Sequence, residues 1–200
     1  MPPGDSPPER TAPKPLDLVQ RFVNTIDLET GEDELTSPEL LRDWLAERGL
    51  VESSVTAGAA DLRRALDVRE GLRAVLQSNN GVAFDAGRVE RLEKVAARAR
   101  LRVCFVKDDG PELAPECSGV DGAIARLMAI VAAAAESGEW QRLKSCPRDT
   151  CFWAFYDHSK NRSGRWCSME SCGNIEKAKA FRERRRAGKG AGGSRPRNPR

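Results

Sequence analysis

Apolar residues recur at helical spacing through most of residues 16–140. In the segment LDLVQRFVNTID, Val19, Phe22, Val23 and Ile26 fall at the spacing expected for one face of a helix. The same periodicity, bounded by capping and turn-forming residues, predicts four further helices. They run from Pro38 to Gly49 after a Ser37 cap, over residues 59–77, from Asp85 to about Ala99, and from Asp121 to about Glu136. We expect the apolar stripes to pack as the core of a helical domain.

One short segment departs from the helical period. Leu101, Val103 and Phe105 alternate with Arg102 and Cys104, and this two-residue period predicts a strand. The sequence Asp-Asp-Gly at 108–110 predicts a turn, followed by a second short strand near residue 113. The predicted fold class is therefore mainly α with a small β pair.

Residues 16–140 carry no pattern that is typical of catalysis. They contain no phosphate-binding glycine loop, histidine cluster or serine elbow. Cys104 and Cys117 have no partner at metal-ligand spacing, so we expect packed or idle thiols. We therefore expect that this protein is not an enzyme.

The charge is divided unevenly along the chain. Residues 1–140 contain 17 basic and 25 acidic residues, a net charge of −8, whereas residues 141–200 contain 16 basic and 5 acidic residues, a net charge of +11. This asymmetry indicates a polyanion-binding end joined to an acidic body, although a solvated basic tail would look the same. Six prolines in residues 1–15 and the Gly, Arg and Pro content of residues 188–200 predict disordered tails.

The chain shows no targeting or membrane segment. Its longest apolar stretch, residues 127–135, has nine residues and is too short to span a bilayer. The N-terminus lacks the apolar core of a signal peptide. We expect a cytoplasmic protein without a membrane partner.

Four of the six cysteines form two equally spaced pairs. The segment reads Cys146-PRDT-Cys151, then fifteen residues, then Cys167-SMES-Cys172. Paired thiolates presented by two turns suit tetrahedral zinc, and four cysteines would close the site, so the metal would be a single structural ion. A redox dithiol and unrelated core cysteines remain as alternatives. His158 is the sole histidine of the chain, and we do not expect it to be a ligand.

The residues between the cysteine pairs are long enough for a β-hairpin. We expect FWAFYDH (152–158) as the outward strand, SKNRSG (159–164) as the turn and RWCSM (165–169) as the return strand. Trp153, Phe155 and Trp166 would form a small core around the metal. The C-terminal part is thus predicted to be a zinc-ribbon-like hairpin.

A basic helix is predicted to follow Cys172. Asn174 could cap it, and Ile175 and Ala178 would form its inner stripe, joined by Ala180 or Phe181. Basic side chains on this helix and in the hairpin are suited to phosphate contacts. The candidate nucleic-acid-binding residues are Arg162, Arg165, Lys177, Lys179, Arg182, Arg184, Arg185 and Arg186.

The segment FWAFYDHSKNRSGRWCSMESCGN with its cysteine pairs and basic helix closely resembles the CGNR zinc-finger proteins of bacteria. In these proteins the finger follows a helical domain called ABATE, described as a stress-induced transcription regulator. FVNTID (22–27), the leucine-rich helix around Trp44 and RLKSC (142–146) also resemble that family. The resemblance implies a helical domain over 16–140, a finger over 141–187, and zinc ligands at Cys146, Cys151, Cys167 and Cys172.

The chain departs from the family signature at one position. Ile175 stands where the family usually has arginine, so a polar or phosphate contact made by that arginine would be lost. The resemblance and the charge together favour a zinc-containing transcription regulator that binds nucleic acid, with DNA preferred over RNA. An RNA-binding or ribosome-associated protein and a zinc-stabilised protein-interaction module are the alternatives. The sequence does not identify a small-molecule effector of the helical domain.

Overall fold

The structure, a computed structural model, describes residues 10–106 and 110–190. This part of the chain is mainly helical with two antiparallel strand pairs. The helices are α1 (Leu16–Val23), α2 (Pro38–Glu47), α3 (Ala59–Asn79), α4 (Ala86–Ala96), α5 (Gly119–Glu136) and α6 (Asn174–Gly190). The strands are β1 (Leu101–Val106), β2 (Gly110–Pro115), β3 (Leu143–Ser145) and β4 (Ala154–Tyr156). A 3₁₀ turn spans Trp140–Arg142, and a π-helical turn spans Met169–Gly173.

Two of the predicted helix caps are confirmed. The Ser37 side chain accepts a hydrogen bond from the backbone N–H of Leu40 at 3.3 Å, and Pro38 occupies the first turn. Asp85 accepts from the N–H of Arg88 at 3.0 Å. These contacts satisfy backbone donors that a helix start would otherwise leave without partners.

The core lies where α1, α2, α3 and α5 meet. Val19, Phe22, Leu72 and Leu127 are almost wholly buried there, and the Phe22 ring meets Trp44 edge-on at 5.5 Å between centroids. Leu41, Trp44 and Leu45 form the buried face of α2. Leu40 is 45 % exposed because it lies in the first turn, on the side away from the core.

Gly71 lets α3 and α4 approach closely. A Cβ at this position would lie 2.4 Å from the Cβ of Leu92, so a larger residue would force the helices apart. Leu92 and Val95 of α4 are buried against α3 as predicted. The pair forms one side of the helical domain.

The predicted β pair is present, but its apolar side chains lie outside the core. In the antiparallel β1–β2 register, Val103 lies opposite Leu113. Val103 is 59 % exposed, Phe105 85 % and Leu113 45 %. The hairpin meets the helices chiefly through β2 against α5, which leaves this face uncovered by the described residues.

The C-terminal hairpin has a different partner from the predicted one. β4 pairs with β3, upstream of it, in the register Leu143↔Tyr156 and Ser145↔Ala154. Residues 165–169 form no strand. The reason is burial: Leu143, Ala154 and Tyr156 all pack into the main core, whereas RWCSM offers few side chains for that surface. The zinc segment therefore shares its core with the helical domain.

Part of the N-terminal segment that was predicted to be disordered packs against the helical domain. Ala12 is buried, and its N–H donates to Gln20 Oε1 at 2.7 Å. The Arg10 guanidinium lies over the Phe155 ring at 5.5 Å. Residues 10–15 thus pack on the fold, and residues 188–190, predicted as part of the C-terminal tail, belong to α6. Residues 1–9 and 191–200, the remaining parts of the predicted tails, lie outside the described residues.

No helix within 10–106 or 110–190 has the length and hydropathy needed to cross a membrane.

Candidate metal centre and basic helix

The four paired cysteines converge on one point. The Sγ atoms of Cys146, Cys151, Cys167 and Cys172 all lie within 4.8 Å of one another. The Cys151–Cys167 and Cys167–Cys172 sulfur pairs are each 3.6 Å apart. A tetrahedral zinc ion with Zn–S bonds of about 2.3 Å requires sulfurs about 3.8 Å apart, whereas a disulfide requires about 2.05 Å. The donors and their spacing therefore fit zinc.

The first cysteine pair is presented by a tight turn between β3 and β4. Cys146 directly follows β3, and its N–H donates to the Trp153 carbonyl at 2.9 Å. The Cys151 N–H donates to the Arg148 carbonyl at 3.0 Å. Phe152 then adopts a left-handed φ of 50°, which reverses the chain into β4. The turn brings both sulfurs to the same side.

The second pair lies at the start of the C-terminal helix. The Ser168 side chain caps the π-helical turn by accepting from the N–H of Ser171 at 3.3 Å. Cys172 lies within that turn and is buried. A Cβ on Gly173 would lie 2.9 Å from Met169 Sδ and 3.2 Å from Trp166 Cδ1, so a larger residue would displace the Met169 side chain.

The predicted cap at Asn174 is wrong. The helical run already begins at Met169, so Asn174 lies inside it, and its side chain donates to the Glu170 carbonyl at 3.2 Å. The cap is Ser168 instead, because its hydroxyl reaches the free N–H groups of the first turn.

The sulfur cluster is shielded from water. Cys146 and Cys172 are almost wholly buried, and Trp153 and Trp166 pack against the cluster as predicted. Phe155 is also buried, but on the opposite side of β4 from Ala154, beneath the Arg10 guanidinium. A closed, shielded set of four sulfurs has no open position for water, which suits a structural ion.

One arginine links the cluster to the helical domain. Arg148 Nη1 donates to Cys172 Sγ at 3.6 Å, and Nη2 donates to Glu29 Oε1 at 2.9 Å. The hydrogen bonds that Arg148 donates to Cys172 and Glu29 raise the pKa of its guanidinium. Hydrogen bonds from Cys151 and Cys167 lower the pKa of Cys146. Four thiolates around Zn²⁺ carry a net charge of −2, which the guanidinium partly offsets.

His158 lies outside the cluster. Its Nε2 is 2.9 Å from the Thr11 carbonyl oxygen, and its ring packs edge-on against Tyr156 at 4.7 Å between centroids. The ring is therefore used in packing the N-terminal segment.

Buried amides of the helical domain hold the zinc segment, and the sequence analysis missed them. Asn24 donates to the Ala154 carbonyl at 2.9 Å and accepts from the Ala154 N–H at 2.7 Å, as a neighbouring strand would. At the end of α3, Asn79 donates to the Leu143 carbonyl, and Asn80 donates to the carbonyls of Ser145 and Arg165. A polar residue within an otherwise apolar helical stripe, such as the Asn of FVNTID, could have indicated these contacts.

A buried ion pair shapes the loop before the second cysteine pair. Lys144 Nζ lies 2.7 Å from Asp157 Oδ2 and also donates to the carbonyls of Arg162 and Gly164. Burial tends to raise the pKa of Asp157, but the Lys144 and Ser159 hydrogen bonds outweigh it and the pKa is lowered. Asp157 is fully buried and Lys144 nearly so. Lys144 is thus committed to the fold.

The basic side chains of α6 point into solvent. The side chains of Lys177, Lys179, Arg182, Arg184, Arg185 and Arg186 are all exposed. The predicted inner stripe is wrong: Ile175 is 43 % and Phe181 53 % exposed, and Ala178 is exposed as well. The less exposed side carries Glu176 and Ala180, because α6 packs chiefly on the π-helical turn and leaves its other faces free.

The fold and the cysteine cluster define a zinc-finger protein with a helical N-terminal domain. Residues 142–185 match the family model for the CGNR zinc finger. Residues 16–137 match the family model for ABATE, whose description is "Putative stress-induced transcription regulator". The chain belongs to the ABATE family and carries a C-terminal CGNR zinc finger with one structural zinc ion. Neither family is a family of enzymes. A comparison with curated proteins returns no match.

Proposed function

We propose that this protein is a DNA-binding transcription regulator whose zinc finger presents α6 to the phosphate backbone. The observation that carries this proposal is the exposure of six basic side chains on a helix that packs mainly on the metal-binding turn. Lys and Arg contacts to phosphates supply most of the affinity of such an interaction and depend on salt.

The basic residues of α6 fall on two adjoining faces. At 100° per residue, Lys179, Arg182 and Arg186 line up with Ile175, while Lys177 and Arg185 flank Phe181. The acidic residues Glu176 and Glu183 lie seven positions apart on the remaining side. Most of the helix surface that faces solvent is therefore positive.

The loop before the second cysteine pair extends the proposed surface. Arg162 and Arg165 are both exposed. The Arg162 backbone has a left-handed φ of 53°, and its carbonyl is held by Lys144. Arg165 lies over the Trp166 ring at 5.9 Å. Both arginines therefore belong to a loop whose backbone is held by hydrogen bonds from Lys144 and Asn80.

In this proposal the metal positions the binding surface and takes no other part. Cys146, Cys151, Cys167 and Cys172 are the proposed ligands, because their sulfurs form the cluster. Cys172 belongs to the turn that continues into α6. Zinc would thereby fix the direction of the helix relative to the domain.

One observation favours a second candidate, a zinc-stabilised protein-docking module. Met169, Ile175 and Phe181 are large apolar residues that are 42 %, 43 % and 53 % exposed. A partner protein could cover them. RNA is a further possible polyanion, because phosphate contacts do not separate the two polymers well.

Salt-dependent binding tests the proposal. The full chain is titrated with duplex DNA, duplex RNA and single strands at several salt concentrations. If three α6 residues each neutralise a phosphate, affinity for duplex DNA should fall roughly 40-fold over a fourfold rise in salt. Replacing Lys179, Arg182 and Arg186 with Ala should flatten this dependence, since these residues share one face.

The control is a second triple variant that removes the same number of positive charges from a different part of the chain. Arg42, Arg100 and Arg126 lie in the helical domain, and replacing them with Ala should leave the salt slope unchanged. Preference for duplex RNA would support the RNA alternative. If the α6 variant binds every polymer as the unmodified chain does, the nucleic-acid proposal is wrong. That result would support the second candidate function, a zinc-stabilised protein-docking module.

A further inference from the structure

The helical domain is acidic as a whole, yet one cleft in it is lined by cations. The cleft lies between the N-terminal part of α3 and the C-terminal end of α4 and has a volume of about 350 Å³. Its charged lining residues are Arg63, Arg64, Asp67, Arg91, Lys94 and Arg98. Five of these six are basic.

Helical spacing places the basic residues of α3 opposite those of α4 across the cleft. Arg63, Arg64 and Asp67 lie on one side of α3, and Arg91 and Lys94 follow one another along α4. Close packing at Gly71, where a Cβ would meet Leu92, holds the two helices together. Like charges on facing helices repel unless a carboxylate or a bound anion lies between them.

Three of the five basic side chains in the cleft form ion pairs with nearby carboxylates. Arg64 is bound by Asp61 and Asp121 at 2.5 and 3.0 Å. Arg91 lies 3.4 Å from Asp67, and both side chains are partly exposed. Lys94 pairs with Glu90 at 2.7 Å.

The Arg63 and Arg98 side chains make no hydrogen bond or ion pair with another described residue, and both are exposed at the cleft. Two unpaired guanidinium groups therefore remain, one on each side of the cleft. Guanidinium groups bind phosphate oxygens bidentately, so this geometry suits an anion with more than one phosphate.

We propose that the α3–α4 cleft binds a small polyphosphate anion, held between Arg63 and Arg98 with Arg91 and Lys94 beside it. The volume is at the lower end of the range for small-molecule sites and is suited to a chain of phosphates. This site is separate from α6 and does not depend on the proposed nucleic-acid function. Its ligand would connect the helical domain to a phosphorylated metabolite.

The test uses inorganic triphosphate and the full zinc-containing chain in isothermal titration calorimetry. At about 150 mM salt, where exposed charges are screened within about 8 Å, binding should saturate at one triphosphate per chain. Replacing Arg63 and Arg98 with Ala should weaken it about 100-fold, since each lost charged contact is worth about tenfold. The matched Arg42→Ala/Arg126→Ala variant should bind within about twofold of the unmodified chain.

Further titrations distinguish a nucleotide from a simple phosphate chain as the ligand. A nucleoside triphosphate that binds more tightly than inorganic triphosphate supports a nucleotide as the ligand, whereas equal affinity supports the phosphate chain alone. The Lys179/Arg182/Arg186→Ala variant should keep triphosphate binding even if its DNA binding is lost. Absence of saturable binding, equal weakening in both double variants, or displacement of triphosphate by duplex DNA would overturn the proposal.

Discussion

Arg73 Nη1 donates a hydrogen bond at 3.0 Å to the carbonyl oxygen of Phe152, a residue 79 positions further along the chain. Arg73 lies on α3 and is completely buried, whereas Phe152 directly follows the cysteine turn and has a left-handed φ of 50°. The same guanidinium donates to the Val23 carbonyl at 2.6 Å, and Glu70 lies 3.2 Å away. One side chain of the helical domain thus fixes the backbone beside the metal cluster.

Replacing Arg73 with Met should lower zinc affinity although Arg73 does not contact the cluster. The Phe152 carbonyl would lose one of its two donors, Ser145 being the other, and the strained turn would be held less firmly. The lost charged hydrogen bonds should also destabilise the fold by roughly 2–4 kcal/mol. Competition with a chelator measures the first effect, and denaturant unfolding measures the second.

The control for this variant is Arg42→Met, which removes a partly exposed arginine paired with Asp43 on α2. Its effect on stability should stay below about 1 kcal/mol, and its zinc affinity should not change. Equal zinc affinity in the Arg73 variant and the unmodified chain would show that the turn holds its shape without Arg73.

Removal of single cysteines should abolish stoichiometric zinc binding. Cys146→Ser and Cys172→Ser each take one sulfur from the cluster, which leaves three soft donors. Metal analysis of the purified chain should give one zinc per chain for the unmodified protein and much less for either variant. Cys104→Ser and Cys117→Ser are the controls, because these thiols lie outside the cluster. Full zinc retention in both cluster variants would contradict the ligand assignment.

Chelation of zinc should loosen the finger and part of the helical domain together. Residues 146–153 and 157–173, on either side of β4, should lose protection in hydrogen exchange, because few apolar contacts other than those at the sulfur cluster hold them. The end of α3 should lose some protection as well, since Asn80 bonds to the carbonyls of Ser145 and Arg165. Strands β3 and β4 should remain protected, because Leu143 and Ala154 belong to the main core.

Two other patterns of exchange would argue against this coupling. Complete loss of protection throughout the chain would mean that the helical domain cannot fold without zinc. Loss confined to α6 would mean that the cysteine turns are held by the domain alone.

Ile175→Arg should strengthen binding to duplex DNA and make it more dependent on salt. Ile175 is exposed in the first turn of α6 and lies on the same face as Lys179 and Arg182. A fourth cation on this face should add about 0.9 to the slope of log K against log salt. Ile175→Gln, which has similar length without charge, is the control. An unchanged slope in the arginine variant would show that this face does not meet the phosphates.

Lys144→Met should destabilise the chain because it leaves Asp157 buried without its partner. Removing one member of a buried pair costs about 3–5 kcal/mol. The lowered pKa of Asp157 means that its contribution is complete above the unfolded value near 3.8 and is lost as pH falls through the lower folded value. The measurement therefore belongs at pH 7. The double variant Lys144→Met/Asp157→Asn should lose less than the two single variants combined, and strict additivity would mean that the pair does not interact.

Local patterns in the sequence were sufficient for the helices, their caps at Ser37 and Asp85, the β1–β2 pair and the grouping of the four cysteines. Helical periodicity, side-chain capping and ligand spacing are properties of neighbouring residues, so the chain itself carries them. The basic character of residues 174–186 is likewise a matter of composition. The family resemblance drew on the same short segments.

Tertiary structure decided which residues those segments meet. β4 pairs with Leu143–Ser145 because the shared core selects strands with buried apolar side chains, a choice that depends on α3. Arg73, Asn24 and Asn80 hold the first cysteine turn and the adjoining strand β4 through backbone carbonyls, which are present at every residue and give no sequence pattern. The exposure of Ile175 and Phe181 likewise follows from where α6 leaves the fold, since a helical stripe shows its own periodicity but not whether a partner covers it.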